Sequence, residues 1–294
     1  MDIDAYNHIR SGGAGFHEQK RGLIAVWGKE VVPFLDGMIT NDMKTLEDGQ
    51  QMLAAFPNAQ GRLLAIVRVL RQGERFLIET EEATREKLFQ NLFRFTFAGD
   101  FFIEDLSDGH RYFEIAGTLP EIVPVTDTVR FDGRGFYGYF VPSGLADEFT
   151  SHLEEAGILT IDDATHETLR IESGVPKYGV DMDETTIVPE LGFPEMISYT
   201  KGCYIGQEII ARIHFRGHVA KQLTGVSSAD QIEAGAELAS NDGKPAGRFT
   251  SVVYSPKLEK TIALAFVRYD YLTPGTELRY EENAAMVAGL PFIE

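Results

Sequence analysis

Apolar residues recur at helical spacing from Lys29 to Ile39, where Val31, Phe34, Leu35 and Met38 share a face and Pro33 lies near enough to the start to be tolerated. This predicts an amphipathic helix ending before Thr40, Asn41 and Asp42. After Gly49 the period changes. Three apolar runs, Met52 to Phe56, Leu63 to Leu70 and Phe76 to Ile78, are separated by the turn-like NAQGR and RQGE, which predicts an antiparallel strand set. From Glu81 to Arg94 the helical pattern returns, with Leu88, Leu92, Phe93 and Phe95 apolar among charges, and the strand-like FFIED and YFEIAG follow. Two more helices are predicted, over Ala146 to Ala156 and over Ala164 to Ser173. The second has Asp162 or Asp163 as N-cap and Gly174 just past its end. Strands, then a helix, then strands argue for an α+β fold rather than a doubly wound sheet.

Between Gly174 and Lys201 the chain carries three prolines and poor periodicity, long for a structureless loop in a compact domain and therefore a functional candidate. Beyond Ala220 short strand-like stretches alternate with turn residues: Leu223 to Val226, Phe249 to Tyr254, Ile262 to Val267 and Glu277 to Tyr280. They predict a separate C-terminal β-barrel or β-sandwich. The weak link falls near Phe215 to Gln222, dividing the chain into a region over 1–215 and a barrel domain over 216–294. No tandem repeat or low-complexity segment interrupts this layout.

With 294 residues, 44% of them hydrophobic, the chain can bury a sizeable core. Its 27 Lys and Arg against 45 Asp and Glu give a formal charge of -18, which disfavours wrapping of nucleic acid or attraction to an anionic membrane. The start, MDIDAYNHIRSGG, has no apolar h-region and no apolar run approaches a bilayer span, so the expectation is a soluble, cytoplasmic protein. A single cysteine, Cys203, excludes an intrachain disulfide and any all-cysteine metal site within one chain.

That cysteine lies in KGCYIGQEIIARI, a loop with two glycines running into a stretch where Ile205, Ile209, Ile210 and Ile213 fit one helical face. Cys203 is thus expected at or just before a helix N-terminus, where unpaired N–H groups and the helix dipole stabilise a thiolate and Lys201 adds a cation. The competing reading is a small buried hydrophobe. Lys201, Arg212, Arg216 and Lys221, with His214 and His218, form the densest basic stretch of an acidic chain. They read either as an anion site or as a solvated face paired to the acidic region between Asp147 and Glu195. His214 and His218 have chelating spacing, but Gly217 interrupts the turn and no third ligand lies nearby, so no metal is expected. The remaining histidines are scattered and assemble no Ser, His and Asp set, and the glycine clusters lack G-x-G-x-x-G spacing.

KGCYIGQE resembles the signature of the YgfZ-like folate-binding proteins, relatives of the T-protein aminomethyltransferase of the glycine cleavage system. The resemblance covers nearly the whole chain: FLDGMITNDMKTL and NAQGRLLAIVRVLR resemble the superfamily's N-terminal part, LRIESGVPKYGVDMDETTIVPE its middle and GRFTSVVYSPKLEKTIALAFVR its C-terminal barrel. It implies two interwoven α+β subdomains and an antiparallel β-barrel around a central opening that holds tetrahydrofolate.

By the same resemblance, the family's pterin-binding glutamate in R-x-E-x-G falls on Glu172, whose carboxylate would accept the pterin amide and amino hydrogens together. Asp42 of the T-N-D pattern, Tyr178 and Arg212 are further cavity candidates. Aligned on NAQG, a pair of aspartates that includes the T-protein's catalytic one falls on Ala65 and Ile66, neither of which ionises. The implied function is therefore a folate-dependent factor for assembly or repair of iron-sulfur clusters in client enzymes, tRNA-modifying ones included, with Cys203 performing thiol chemistry or transient cluster contact. An aminomethyltransferase drawing a carboxylate from Asp42, Asp181 or Asp183, and a non-catalytic client-binding module, are the alternatives.

Overall fold

The structure, a computed structural model, describes residues 1–293, with Ala98 through its backbone alone. After helix α1 (Ile3–Arg10) the chain enters strand β1 (Ala14–Gln19) and leaves at once for a different sheet. That sheet has five strands in the order β3-β4-β5-β2-β6, comprising β2 (Arg21–Trp27), β3 (Gln51–Pro57), β4 (Leu63–Gln72), β5 (Arg75–Glu81) and β6 (Phe102–Asp105). Helices α2 (Val31–Met38) and α3 (Glu82–Phe93) cover its outer face. The chain then returns to the first sheet, ordered β10-β1-β7-β9-β8, through β7 (His110–Gly117), β8 (Val129–Asp132), β9 (Phe136–Pro142) and β10 (Leu159–Thr160), with α4 (Ala146–Glu155) on its outer face. β1 pairs antiparallel with β7 and parallel with β10, so the two subdomains are interleaved.

Strand alternation sorts the side chains of each sheet. In β4, Ala65, Val67 and Val69 join Leu35, Met38 and Leu88 under the helices. On the opposite face Leu70 packs with Leu23, Leu77, Tyr112, Phe131 and Phe140, the apolar seam that presses the two sheets together. Farther along that inner face the residues turn polar, and there the sheets enclose a cavity instead of a core.

Helix α5 (Asp163–Glu172) follows β10; the Asp162 side chain caps it by accepting the Thr165 N–H at 2.8 Å. The prolines of the following loop start two 3-10 turns, over Val188–Leu191 and Pro194–Met196. Helix α6 (Gln207–Arg216) precedes a closed antiparallel barrel of β11 (Lys221–Ser228), β12 (Glu237–Ala239), β13 (Pro245–Ser255), β14 (Lys260–Arg268), β15 (Glu277–Tyr280) and β16 (Asn283–Ala288). The barrel has its own core and packs Leu223, Ile262, Leu264 and Phe266 against Ile171 of α5. No helix among the described residues is long and apolar enough to cross a membrane.

Candidate functional site

A cavity of about 920 Å³ lies between the inner faces of the two sheets, closed by α5 and by the loop after it. That is the size of a small-molecule site. Part of the lining is apolar, formed by Met52, Leu53, Ile66 and Phe193; the rest is ionic, and no barrel residue contributes to it. The register explains the ionic wall. Arg68 and Glu79 are direct cross-strand partners on β4 and β5, and His17 faces Glu114 across β1 and β7.

Glu79 is buried and accepts Arg68 Nε at 2.6 Å and Arg21 Nε at 2.6 Å. Burial acts to raise its carboxyl, but the two guanidinium groups outweigh that and hold it below the ordinary value. Arg68 Nη2 donates to Tyr112 Oη at 3.2 Å, and Tyr112 donates to Glu114 Oε1 at 3.0 Å. Gly138 makes room for that phenol, since a Cβ there would lie 2.1 Å from Tyr112 Oη. Glu114 also receives Gln19 Nε2 at 3.0 Å and lies 2.7 Å from His166 Nε2. Its burial penalty is overcome chiefly by the His166 hydrogen bond and by Arg21, which bring it down to about 2. Glu81 behaves oppositely. Burial pushes its carboxyl up, with only partial relief from Arg21, and one oxygen accepts the Tyr178 N–H at 3.0 Å while the other has no protein partner among the described residues.

The loop from 174 to 201 contributes Val175, Pro176, Lys177, Phe193 and Glu195 to the cavity. Arg134 stacks its guanidinium 4.2 Å from the Phe193 ring centroid and pairs with Glu195. Arg170 anchors α5, binding Glu167 Oε2 at 2.9 Å, Asp181 at 2.9 Å and Ser251 Oγ of the barrel at 2.7 Å.

The residues singled out from sequence do not converge on this cavity. Glu172 is fully buried on the opposite face of α5 from Arg170, as its position two residues further along the helix requires. Its carboxylate is taken by Tyr6 Oη at 2.6 Å, by Arg10 and by Ser255 Oγ, so it fastens α1 and the barrel to α5 instead of facing a ligand. Asp42 caps the 3-10 turn Met43–Thr45 by accepting the Lys44 N–H at 3.0 Å. Tyr178 lies beside the cavity with its hydroxyl 3.5 Å from Lys87 Nζ, outside the lining. Arg212 is exposed on α6 and paired with Glu208 at 2.8 Å. Of the pair read from the NAQG alignment, Ala65 faces the helices and only Ile66 faces the cavity.

Cys203 is exposed and lies three residues before Gly206, the N-cap of α6. It is outside the first helical turn, which removes the dipole argument for a thiolate. Lys201 does not supply the cation either. Its ammonium is buried, 3.1 Å from Asp36 Oδ1, and donates to the carbonyls of Asp36, Ile39 and Asn41 at 2.6, 2.9 and 2.6 Å. The basic stretch disperses: His214 stacks on Tyr199 and His218 on Tyr269, each at 3.6 Å, and Lys221 covers Phe266. Among the described residues no group of His, Cys, Asp and Glu is placed to hold a metal ion. The two motifs do meet in space. Gly206, at φ 81°, sits so close to the NAQG turn that a Cβ would lie 2.4 Å from the Asn58 carbonyl.

The sequence reading missed His17, Gln19, Arg21, Arg68, Glu79, Glu114 and His166. A signal was present for three of them. Arg68 stands between Val67 and Val69, Glu79 between Ile78 and Thr80, and Glu114 between Phe113 and Ile115, interior strand positions that charged residues rarely fill unless paired.

This arrangement matches a known fold. The glycine cleavage system aminomethyltransferase T from Bartonella henselae superposes with a TM-score of 0.87 at 21% identity, over 99% of this chain and 89% of that one. Residues 221–293 match the glycine cleavage T-protein C-terminal barrel domain. An aminomethyltransferase of Bdellovibrio bacteriovorus is 26% identical over 99% of this chain and 90% of its own length. A mitochondrial iron-sulfur cluster assembly factor IBA57 homolog of Mycosarcoma maydis is also 26% identical, over 70% of this chain; the match spans 55% of that relative's length. Two interleaved sheets, a cavity between them and a closed barrel define a protein of the aminomethyltransferase fold. Residues 221–293 carry the T-protein C-terminal barrel domain, and the chain as a whole has the aminomethyltransferase fold.

Proposed function

We propose that the cavity binds a reduced folate and that the chain serves iron-sulfur cluster assembly or repair in client enzymes, tRNA-modifying ones included, rather than glycine cleavage. The observation that carries this reading is the division of the cavity wall. The Glu81 carboxyl has one free oxygen for the donor edge of a pterin, the apolar strip from Met52 to Phe193 suits an aromatic ring, and Lys177 and Arg134 suit a carboxylate tail. Bound tetrahydrofolate supplies a one-carbon acceptor. The chain's own residues orient it and exclude water.

Methylene transfer is disfavoured because position 66, the cavity-facing member of the pair, carries isoleucine and provides no proton acceptor there. The likeness to the fungal assembly factor favours the cluster role. Cys203 fits that role as an exposed thiol outside the cavity, available to a client protein and not to the bound folate.

The direct test is calorimetry with folinic acid, a stable reduced folate. Wild type binds it, and Glu81→Gln, which keeps an acceptor for the Tyr178 N–H but offers the pterin one carbonyl oxygen in place of a carboxylate, weakens binding about tenfold or more, the loss of a charge-assisted pair. Absence of binding by wild type would leave the client-binding module as the surviving reading.

A further inference from the structure

The His17 and His166 rings stack face to face at 4.4 Å between centroids, 19° from parallel, on the ionic wall of the cavity. Each is held through Nε2: His17 lies 2.8 Å from Asp163 Oδ1 and His166 lies 2.7 Å from Glu114 Oε2. A carboxylate accepts only, so both Nε2 atoms carry hydrogen and both Nδ1 atoms are the basic ones. His17 Nδ1 is buried with no partner, and His166 Nδ1 makes no hydrogen bond to protein among the described residues.

We propose that this stacked pair is the cavity's proton acceptor, taking up one proton at an Nδ1 from solvent when an anionic ligand binds and offsetting that ligand's charge. The inference rests on the folate reading for the identity of the ligand.

Charge balance supports it. The cavity lining carries seven carboxylates against five arginine and lysine cations, so with neutral histidines an anionic ligand enters an already negative space. Around the pair itself, Asp163 and Glu167 of α5 and Glu114 of β7 face it as anions. Arg21 and Arg68, the cations on the adjoining sheet, are engaged by Glu79. Phe136, with its ring centroid 5.5 Å from that of His166, offers a π face to an imidazolium. Two imidazolium charges on rings this close repel, so one proton is expected for the pair.

Calorimetric titration of the full chain with folinic acid, in buffers of differing ionisation enthalpy between pH 6 and 8.5, counts the protons. The expected result is uptake of up to about one proton, with affinity falling as pH rises by at most about tenfold per pH unit. His17→Gln with His166→Gln keeps the donors to Asp163 and Glu114 but accepts no proton, and its affinity becomes independent of pH. Binding by wild type without proton uptake overturns the inference, as does unchanged uptake in the double variant, which would assign the proton to Glu81. No binding at any pH retires the folate reading and this one together. Should the variant fail to fold, histidine ring proton NMR of the wild type decides: the His17 and His166 signals move to the imidazolium position on ligand addition, or the proposal fails.

Discussion

Lys201 Nζ lies 3.1 Å from Asp36 Oδ1 and is buried with it at the end of α2, so the residue two positions before the cysteine anchors its loop. Removing one member of a buried pair leaves the other charge uncompensated. Lys201→Met is expected to lose about 3–5 kcal/mol in urea denaturation. Normal stability with slower alkylation of Cys203 would instead make Lys201 a thiolate-tuning group.

Cys203 itself contributes little to the fold, being exposed and outside every core cluster. Cys203→Ala should shift stability by no more than about 0.5 kcal/mol, the usual range for a surface change. Folinic acid binding should be unaffected. In cells lacking the native protein the variant should fold and fail to restore cluster-enzyme activity, and full rescue would remove the thiol from the mechanism.

Acid sensitivity follows from the ionic wall. The folded carboxyl of Glu114 is lowered from 4.5 to about 2, and that of Glu79 is lowered as well. A depressed carboxyl contributes stability that is complete above its unfolded value and lost as pH falls toward its folded value. Stability should therefore hold above about pH 5 and fall between there and pH 2, by on the order of 3 kcal/mol for Glu114 alone. Glu114→Gln should flatten that fall in a pH series of denaturation curves. An unchanged slope would show that Glu114 is not the responsible group.

Gly206 tests the junction of the two motifs. Its left-handed backbone and its contact with the Asn58 carbonyl leave no room for a methyl group. Gly206→Ala should cost about 1–3 kcal/mol from strained backbone and steric contact. A neutral substitution would mean that α6 is not seated on the NAQG turn.

Much of the fold was legible in the sequence because its periods are clean. α3, α4 and α5 begin and end within about two residues of where their apolar spacing and caps placed them, within the normal scatter of helix ends. β1 was not read, since Phe16 is buried on one side while His17 and Gln19 turn to the cavity, and such a strand looks too polar to be structural. The site was less legible for the same reason. Its charges are scattered over β1, β2, β4, β5, β7, β8, α5 and the loop after it, and only the tertiary fold assembles them. Glu172 carries a motif and a fully buried carboxylate, yet helix phase points it at Tyr6, Arg10 and Ser255, and no linear motif states which side of a helix a ligand occupies.

The interleaving of the two sheets has a consequence for how the chain reaches its native form. β1 finds its neighbours only in β7, from His110, and in β10, from Leu159, after the whole of the other sheet has been laid down. Such distant pairings close late and slowly. During synthesis the strand made first therefore waits longest, with Phe16 uncovered and His17 and Glu114 still apart, so the ionic wall is among the last parts of the molecule to exist. A chaperone that shields this early segment would govern the yield of competent protein more than one acting on the barrel.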